Sequence, residues 1–340
     1  MEQKIDFSEN RNIFMPNIQM KKSLLRAVKK VFEYPDYKNT AVNGAIANYF
    51  DIPCDNVSIT NGSMEAINLL VKVLEGKNAT LFKPTFWGYE DALERYEYNV
   101  KSVPLDCELK YNINSINMQA QKTDIMFICN PNNPTLDNID KNILIKIINN
   151  NPNCHFIVDE TMLIFDKNFF NKSLVKYVNT ADNLSVIVSF SKFLGIAGLR
   201  TGAVFSNNEL IKKIKKQMVP YSFGIIQQEL LPCAFSDKEY LDETRELIKI
   251  NREQLCEMLK EIGCHVIDGD SNFILVQLPF GIDSNVVTKF LLEYNIIVRN
   301  IKDSYPELTG DWLRISINTK NNNEMLVKKL KQSFSRFSNL

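Results

Sequence analysis

A chain of 340 residues is too long for one core of ordinary size, and 45% apolar with 24% charged residues is the balance of a folded globular protein. Lys plus Arg and Asp plus Glu both number 40, so the basic excess that a general nucleic-acid binder needs against phosphates is missing. Seven scattered cysteines with no CxxC pair, and only two histidines (His155 and His265), argue against a disulfide framework, a zinc site and Ser-His catalysis, and fit a reducing cytoplasm.

The N-terminal MEQKIDFSENRN has no apolar h-region, and no run of about 18 apolar residues follows, so neither a signal peptide nor a membrane span is expected. After the turn Asn61-Gly62, SMEAINLLVKVLE (63–75) reads as a helix. ATLFK (79–83), DIMFICN (124–130), HFIVDE (155–160) and LSVIVSFS (184–191) read as short, continuously apolar strands, the kind buried in a mostly parallel sheet. Their alternation with helices predicts an α/β sandwich. A charged connector helix spans about 236–262. Beyond it, SNFILVQL (271–278), a helix near 284–294, IIVRN (296–300), WLRISI (312–317) and a last helix from about 322 make a small α+β domain. The expected division is a large domain over 30–235 and a small one from 1–29 and 236–340.

Ligands of α/β sheets bind beyond the carboxyl ends of the strands, and the informative residues fall there. Gly62-Ser63-Met64 opens a helix, whose first N–H groups suit a phosphate, though a plain helix start reads the same way. FICNPNNPT (127–135) ends a strand in a rigid turn that could hold Asn133 over a ligand. Asp159 ends an apolar strand, where a bare carboxylate is costly without a partner: a protonated pyridine nitrogen, a salt bridge or a helix to cap. The strongest segment is SFSKFLGIAGLRTG (189–202). Lys192 follows a buried run, and burial lowers a lysine pKa and frees the amine as a nucleophile. Arg200, Ser189 and Ser191 offer a guanidinium fork and two hydroxyls to one anion.

With those segments in order, the sequence resembles the fold-type-I pyridoxal-phosphate (PLP) enzymes of the class I/II aminotransferase group over nearly its whole length. SFSKFLGIAGLRTG is similar to that group's S-x-S-K-x-x-x-x-x-G-x-R-x-G signature. The resemblance implies a three-layer α/β/α large domain, a small α+β domain, and a homodimer with shared active sites. It implies PLP bound as a Schiff base to Lys192, with Asp159 on the pyridinium nitrogen, where it keeps the ring an electron sink. Asn133 would contact the ring hydroxyl and Phe86 would stack on the ring. The cofactor phosphate would fall to Ser189, Ser191, Arg200 and the backbone at Ser63 and Met64.

YPD (34–36), IIVRN and WLRIS resemble the branch of histidinol-phosphate aminotransferases and threonine-phosphate decarboxylases. By that likeness Tyr34 reaches the cofactor phosphate of the neighbouring subunit, Arg314 grips a substrate carboxylate and Arg299 a substrate phosphate. The substrate is then a small phosphorylated amino acid or amine, although the sequence by itself does not assign a group to each arginine. Two departures stand out. Met162 replaces the tyrosine of the usual D-E-A-Y, and Leu136 replaces the glycine usual after Asn-Pro-Thr, so the loop there is expected to follow a different path. Met162, with IDFSENRN and PTFWGYEDAL, tilts the reading toward decarboxylation of serine or threonine phosphate. The alternative is transamination of histidinol phosphate or a three-carbon keto phosphate, with glutamate or alanine as donor.

Overall fold

A strand that is apolar on both faces needs cover on both. IMFIC (125–129) and LSVIVS (184–189) are buried at every position. The structure, a computed structural model that describes residues 4–302 and 304–337, layers helices on both sides of them. In chain order the strands are β1 (Ile5–Asp6), β2 (Val57–Thr60), β3 (Asn78–Lys83), β4 (Asn99–Pro104), β5 (Ile125–Cys129), β6 (His155–Asp159), β7 (Leu184–Ser189), β8 (Gly202–Ser206), β9 (His265–Ile267), β10 (Phe273–Gln277), β11 (Ile296–Ile297), β12 (Arg299–Asn300) and β13 (Trp312–Ser316). Seven form one sheet in the order β2-β8-β7-β6-β5-β3-β4. It is parallel except at β8, which runs antiparallel to β2 and β7.

Sequence periodicity finds β3, β5, β6 and β7 but not β4 or β8. β4 (NVKSVP) is an edge strand with no buried residue, so it carries no apolar run. The strand read over 184–191 stops at Ser189, because Phe190–Phe193 turns into a short helix. Among the described residues no helix is long and apolar enough to cross a membrane.

A second sheet, β12-β13-β10-β9, is antiparallel throughout and lies over its own core of Leu255, Leu259, Ile274, Leu313 and Leu330. The helix Lys238–Glu261 ties the two cores together: Leu241 and Ile248 enter the large one, Leu255 and Leu259 the small one. The stretch before residue 30 divides between them rather than packing with the small core as one piece. Ile5 and Asp6 pair with β11 and Phe7 enters the small core, whereas Met15 and Met20 find their apolar cover in the large one. The chain between Phe7 and Met15 therefore crosses from one core to the other, past the site described next.

Candidate active site

A cavity of about 700 Å³ opens beyond the carboxyl ends of β5, β6 and β7, between the two cores. It is lined by every candidate site residue named from the sequence except Asp159, which lies behind it, and Tyr34. Tyr34 stays 87% exposed and rests on Tyr221 with ring centroids 5.5 Å apart.

Lys192 owes its place to its neighbours. Phe190 and Phe193 are fully buried, so the helical turn they anchor presents Lys192 to the cavity. Two bonds from Asn12 pin that turn: its backbone N–H donates to Lys192 O (3.0 Å) and its Nδ2 to Phe193 O (2.7 Å). Gly195 closes the turn at φ +64, where a Cβ would fall 2.7 Å from Met15 O and 2.8 Å from Asn12 O. Burial lowers the Lys192 amine to about 8; Arg314 pushes the same way and Asp159 opposes.

Asp159 ends β6, with Oδ1 accepting from Thr161 N (2.9 Å) and Oδ2 from the Tyr89 hydroxyl (2.8 Å). Both donors are neutral, and no lysine or arginine among the described residues forms an ion pair with this 5%-exposed carboxylate. Tyr89 is fully buried and stacked on Phe127 (4.7 Å, 17°), and burial holds its phenol far above its ordinary value, so it remains a donor. Sequence reasoning passed over Tyr89. Its one signal was its position three residues after Phe86, on the same side of a helical turn.

The anion-binding end of the cavity is built on missing side chains. Gly62 (φ +80) precedes the helix Ser63–Val73, and a Cβ there would meet Arg200 Nη2 at 2.7 Å. Gly202 brings β8 against the same helix start, where its Cβ would stand 2.9 Å from Gly62 C and 3.0 Å from Ser63 N. The Arg200 guanidinium is thereby laid beside the helix N-terminus. Ser189 and Ser191 both line the cavity, but the Ser191 hydroxyl already donates to Thr201 O (3.1 Å) and accepts from Thr201 N (2.7 Å) and Arg200 Nη1 (3.4 Å). Its first task is thus to hold the loop between lysine and arginine. Gly88 keeps Phe86 close: a Cβ would meet the Phe86 ring at 2.6 Å and Met64 Sδ at 2.7 Å.

Opposite lies the small sheet. Arg314 Nη1 donates to Asn133 Oδ1 (3.1 Å) and Nη2 to Ser8 O (2.8 Å), while its buried Nε has no partner among the described residues. Burial lowers this guanidinium to about 10. Arg299 pairs directly across from Arg314 in the β12–β13 ladder and is exposed. Like charges directly opposite on adjacent strands are destabilising, so an anion between them is the natural complement. Ser8, Glu9, Asn10 and Arg11, from the crossing segment, and Tyr305 complete this wall, and the sequence reading assigned none of them to the site. Met162, by contrast, is absent from the cavity and buried in the large core.

Residues 2–330 match the family model for aminotransferase class I and II. The chain belongs to that family, and is a PLP-dependent enzyme of fold type I. Among curated proteins it is 29% identical over 335 residues to a histidinol-phosphate aminotransferase of Clostridium novyi, covering 96% of this chain and 91% of the relative. Its fold matches the histidinol-phosphate aminotransferase of Clostridium acetobutylicum with a TM-score of 0.91 at 24% identity, over 99% of this chain and all of the other. It also matches the L-threonine-O-3-phosphate decarboxylase of Porphyromonas gingivalis with a TM-score of 0.85 at 21% identity, over 97% of this chain and 99% of the other.

Proposed function

We propose that the protein is an aminotransferase that exchanges an amino group between a small phosphorylated substrate of the histidinol-phosphate type and a keto acid. PLP fits the cavity on three observations. The buried Asp159 carboxylate lacks a cation, which a ring N–H⁺ supplies. The helix start at Ser63 and Met64, with Arg200 alongside and Ser189 in the lining of the same cavity, forms a cradle for a phosphate. The amine of Lys192, lowered to about 8, is a ready nucleophile for an aldehyde. Phe86 would then cover one ring face and Asn133 would reach the ring hydroxyl. When bound, PLP withdraws electrons from the substrate's Cα. The chain would decide which Cα bond is labilised, and the Lys192 amine, which lines the cavity, would move the proton at that carbon.

The observation that carries transamination over decarboxylation is the bond from Arg314 Nη1 to Asn133 Oδ1. It ties the guanidinium to the residue assigned to the ring's hydroxyl edge. With PLP bound, a carboxylate gripped there would be held against leaving, so that the Cα–H bond, rather than the bond to CO₂, would be the one broken. The orphaned Nε is the donor left over for such a carboxylate. Met162 no longer argues for decarboxylation, since it fills core space. The similarity to histidinol-phosphate aminotransferases along nearly the whole chain supports the same choice. Arg299 is left for the substrate phosphate. Tyr34, exposed and absent from the lining of its own cavity, belongs in this reading to the site of a second copy.

The test sets two reactions side by side. Cofactor-loaded enzyme given histidinol phosphate and 2-oxoglutarate is expected to form glutamate. Given serine phosphate or threonine phosphate without a keto acid, it is expected to release no CO₂. Steady CO₂ release with no keto acid consumed would overturn the proposal in favour of a decarboxylase.

A further inference from the structure

Tyr305 stands among cations without a role in the chemistry above. Its ring is packed with Leu275, Ile301, Leu308 and Trp312 and is 8% exposed, so it cannot swing. The backbone fixes it as well: Tyr305 N donates to Ile301 O and Leu308 N to Tyr305 O, both at 3.0 Å. Yet the residue lines the active-site cavity, and its hydroxyl has no hydrogen-bond partner among the described residues. Burial raises the phenol above its ordinary value, against the pull of Arg314 and Arg299, so the hydroxyl keeps its proton and can donate. Arg299 Nη2 reaches Ser304 Oγ (3.3 Å), which sets that guanidinium beside the turn carrying Tyr305.

A fixed neutral donor in one cavity wall with two guanidiniums is suited to one kind of ligand group, an anion with several acceptor oxygens. A phosphate monoester has three such oxygens and a charge of about −1.5 to −2 at neutral pH. A carboxylate held by Arg314 has only two oxygens to share. We propose that Tyr305 determines specificity by donating, with Arg299, to the substrate's phosphate, so that it separates a phosphate ester from its free alcohol. This rests on the aminotransferase reading only in taking a phosphorylated substrate.

The test compares cofactor-loaded wild type with Tyr305→Phe, which removes the hydroxyl and leaves the ring in its cluster. Three probes are titrated by the absorbance of the cofactor: histidinol phosphate, histidinol and L-alanine, whose only anion is the carboxylate. A lost hydrogen bond to a charged group weakens binding by roughly tenfold or more. The Kd and KM for histidinol phosphate are therefore expected to rise by about that factor, with Kd for histidinol and L-alanine moved less than about twofold. A variant that keeps the wild-type preference for the phosphate ester overturns the proposal. So does equal weakening of L-alanine, which would assign the hydroxyl to the carboxylate at Arg314. If wild type itself shows no preference for the ester, the phosphorylated-substrate reading has failed instead.

Discussion

The amine of Lys192 and the guanidinium of Arg314 share one low-dielectric cavity, and each is lowered by burial before any neighbour acts. Only a neutral amine attacks an aldehyde. Uptake of PLP by cofactor-free protein should therefore speed up as pH rises through about 8 and level off above it. Arg314→Gln removes the positive neighbour that helps expel the lysine's proton, so the midpoint should move to higher pH, as read by stopped-flow absorbance. A midpoint that stays put or falls would show that Arg314 exerts no field at Lys192. Residues of this kind were legible in the sequence because each sits at or just beyond the end of a buried strand in a marked local pattern: Lys192 eight residues before Arg200, Asp159 as the last residue of HFIVD, Asn133 within NPNNP. Tyr89 and Tyr305 were not. A tyrosine on an apolar helix face or beside a proline reads as core, and only the fold reveals that its hydroxyl end meets Asp159 or the cavity.

Between strands, backbone geometry carries information that periodicity does not. The turn after β5 holds itself by side-chain bonds: Asn132 Nδ2 donates to Pro84 O (2.8 Å) and Asn130 Nδ2 to Ile139 O (3.1 Å). The first of these ties Asn133's turn to the segment carrying Phe86, so two ring contacts are positioned as a unit. Leu136, where a glycine was expected, does not send the backbone out of the left-handed region that glycine favours; it adopts φ +63 itself. Its side chain is 4% exposed and packs in the large core, with its Cβ 3.0 Å from where a Cβ on Gly269 would lie. The left-handed conformation costs a branched residue about 1–2 kcal/mol, and burying the leucine returns about 2–5. Leu136→Gly should accordingly destabilise the protein by up to about 4 kcal/mol in urea unfolding, despite relieving the strain. A more stable variant would mean that strain outweighs packing at this turn. The missed elements have the same kind of cause. β4 has no buried residue, and β8 (GAVFS), though buried, opens on Gly202, the last residue of the SFSKFLGIAGLRTG segment, and so reads as a continuation of that loop.

The molecule as a whole leaves one feature unexplained within a single chain. Phe32 (95% exposed), Tyr34 (87%), Leu25 (69%) and Val219 (68%) face solvent, and Tyr34 and Tyr37 both lean on Tyr221. Large exposed apolar groups gathered on one part of a surface mark a place of association. The arrangement proposed for Tyr34 makes this testable through function rather than through size. If Tyr34 completes the site of a neighbouring copy, Tyr34→Phe damages the partner's site, whereas Lys192→Ala damages its own. In a mixed dimer of the two variants, the site that has lost its lysine also receives the phenylalanine, and the other site keeps Lys192 and receives an intact Tyr34. One site in two is then whole, and mixing two impaired proteins should restore up to about half the activity of wild type, with one cofactor fixed by borohydride per heterodimer. The opposite geometry gives the opposite result. If Tyr34 acted within its own chain, each site of the mixed dimer would carry one lesion and activity would stay at the level of the separate variants. Absence of recovery in verified heterodimers would thus assign Tyr34 to its own chain's site and the exposed face to some other contact.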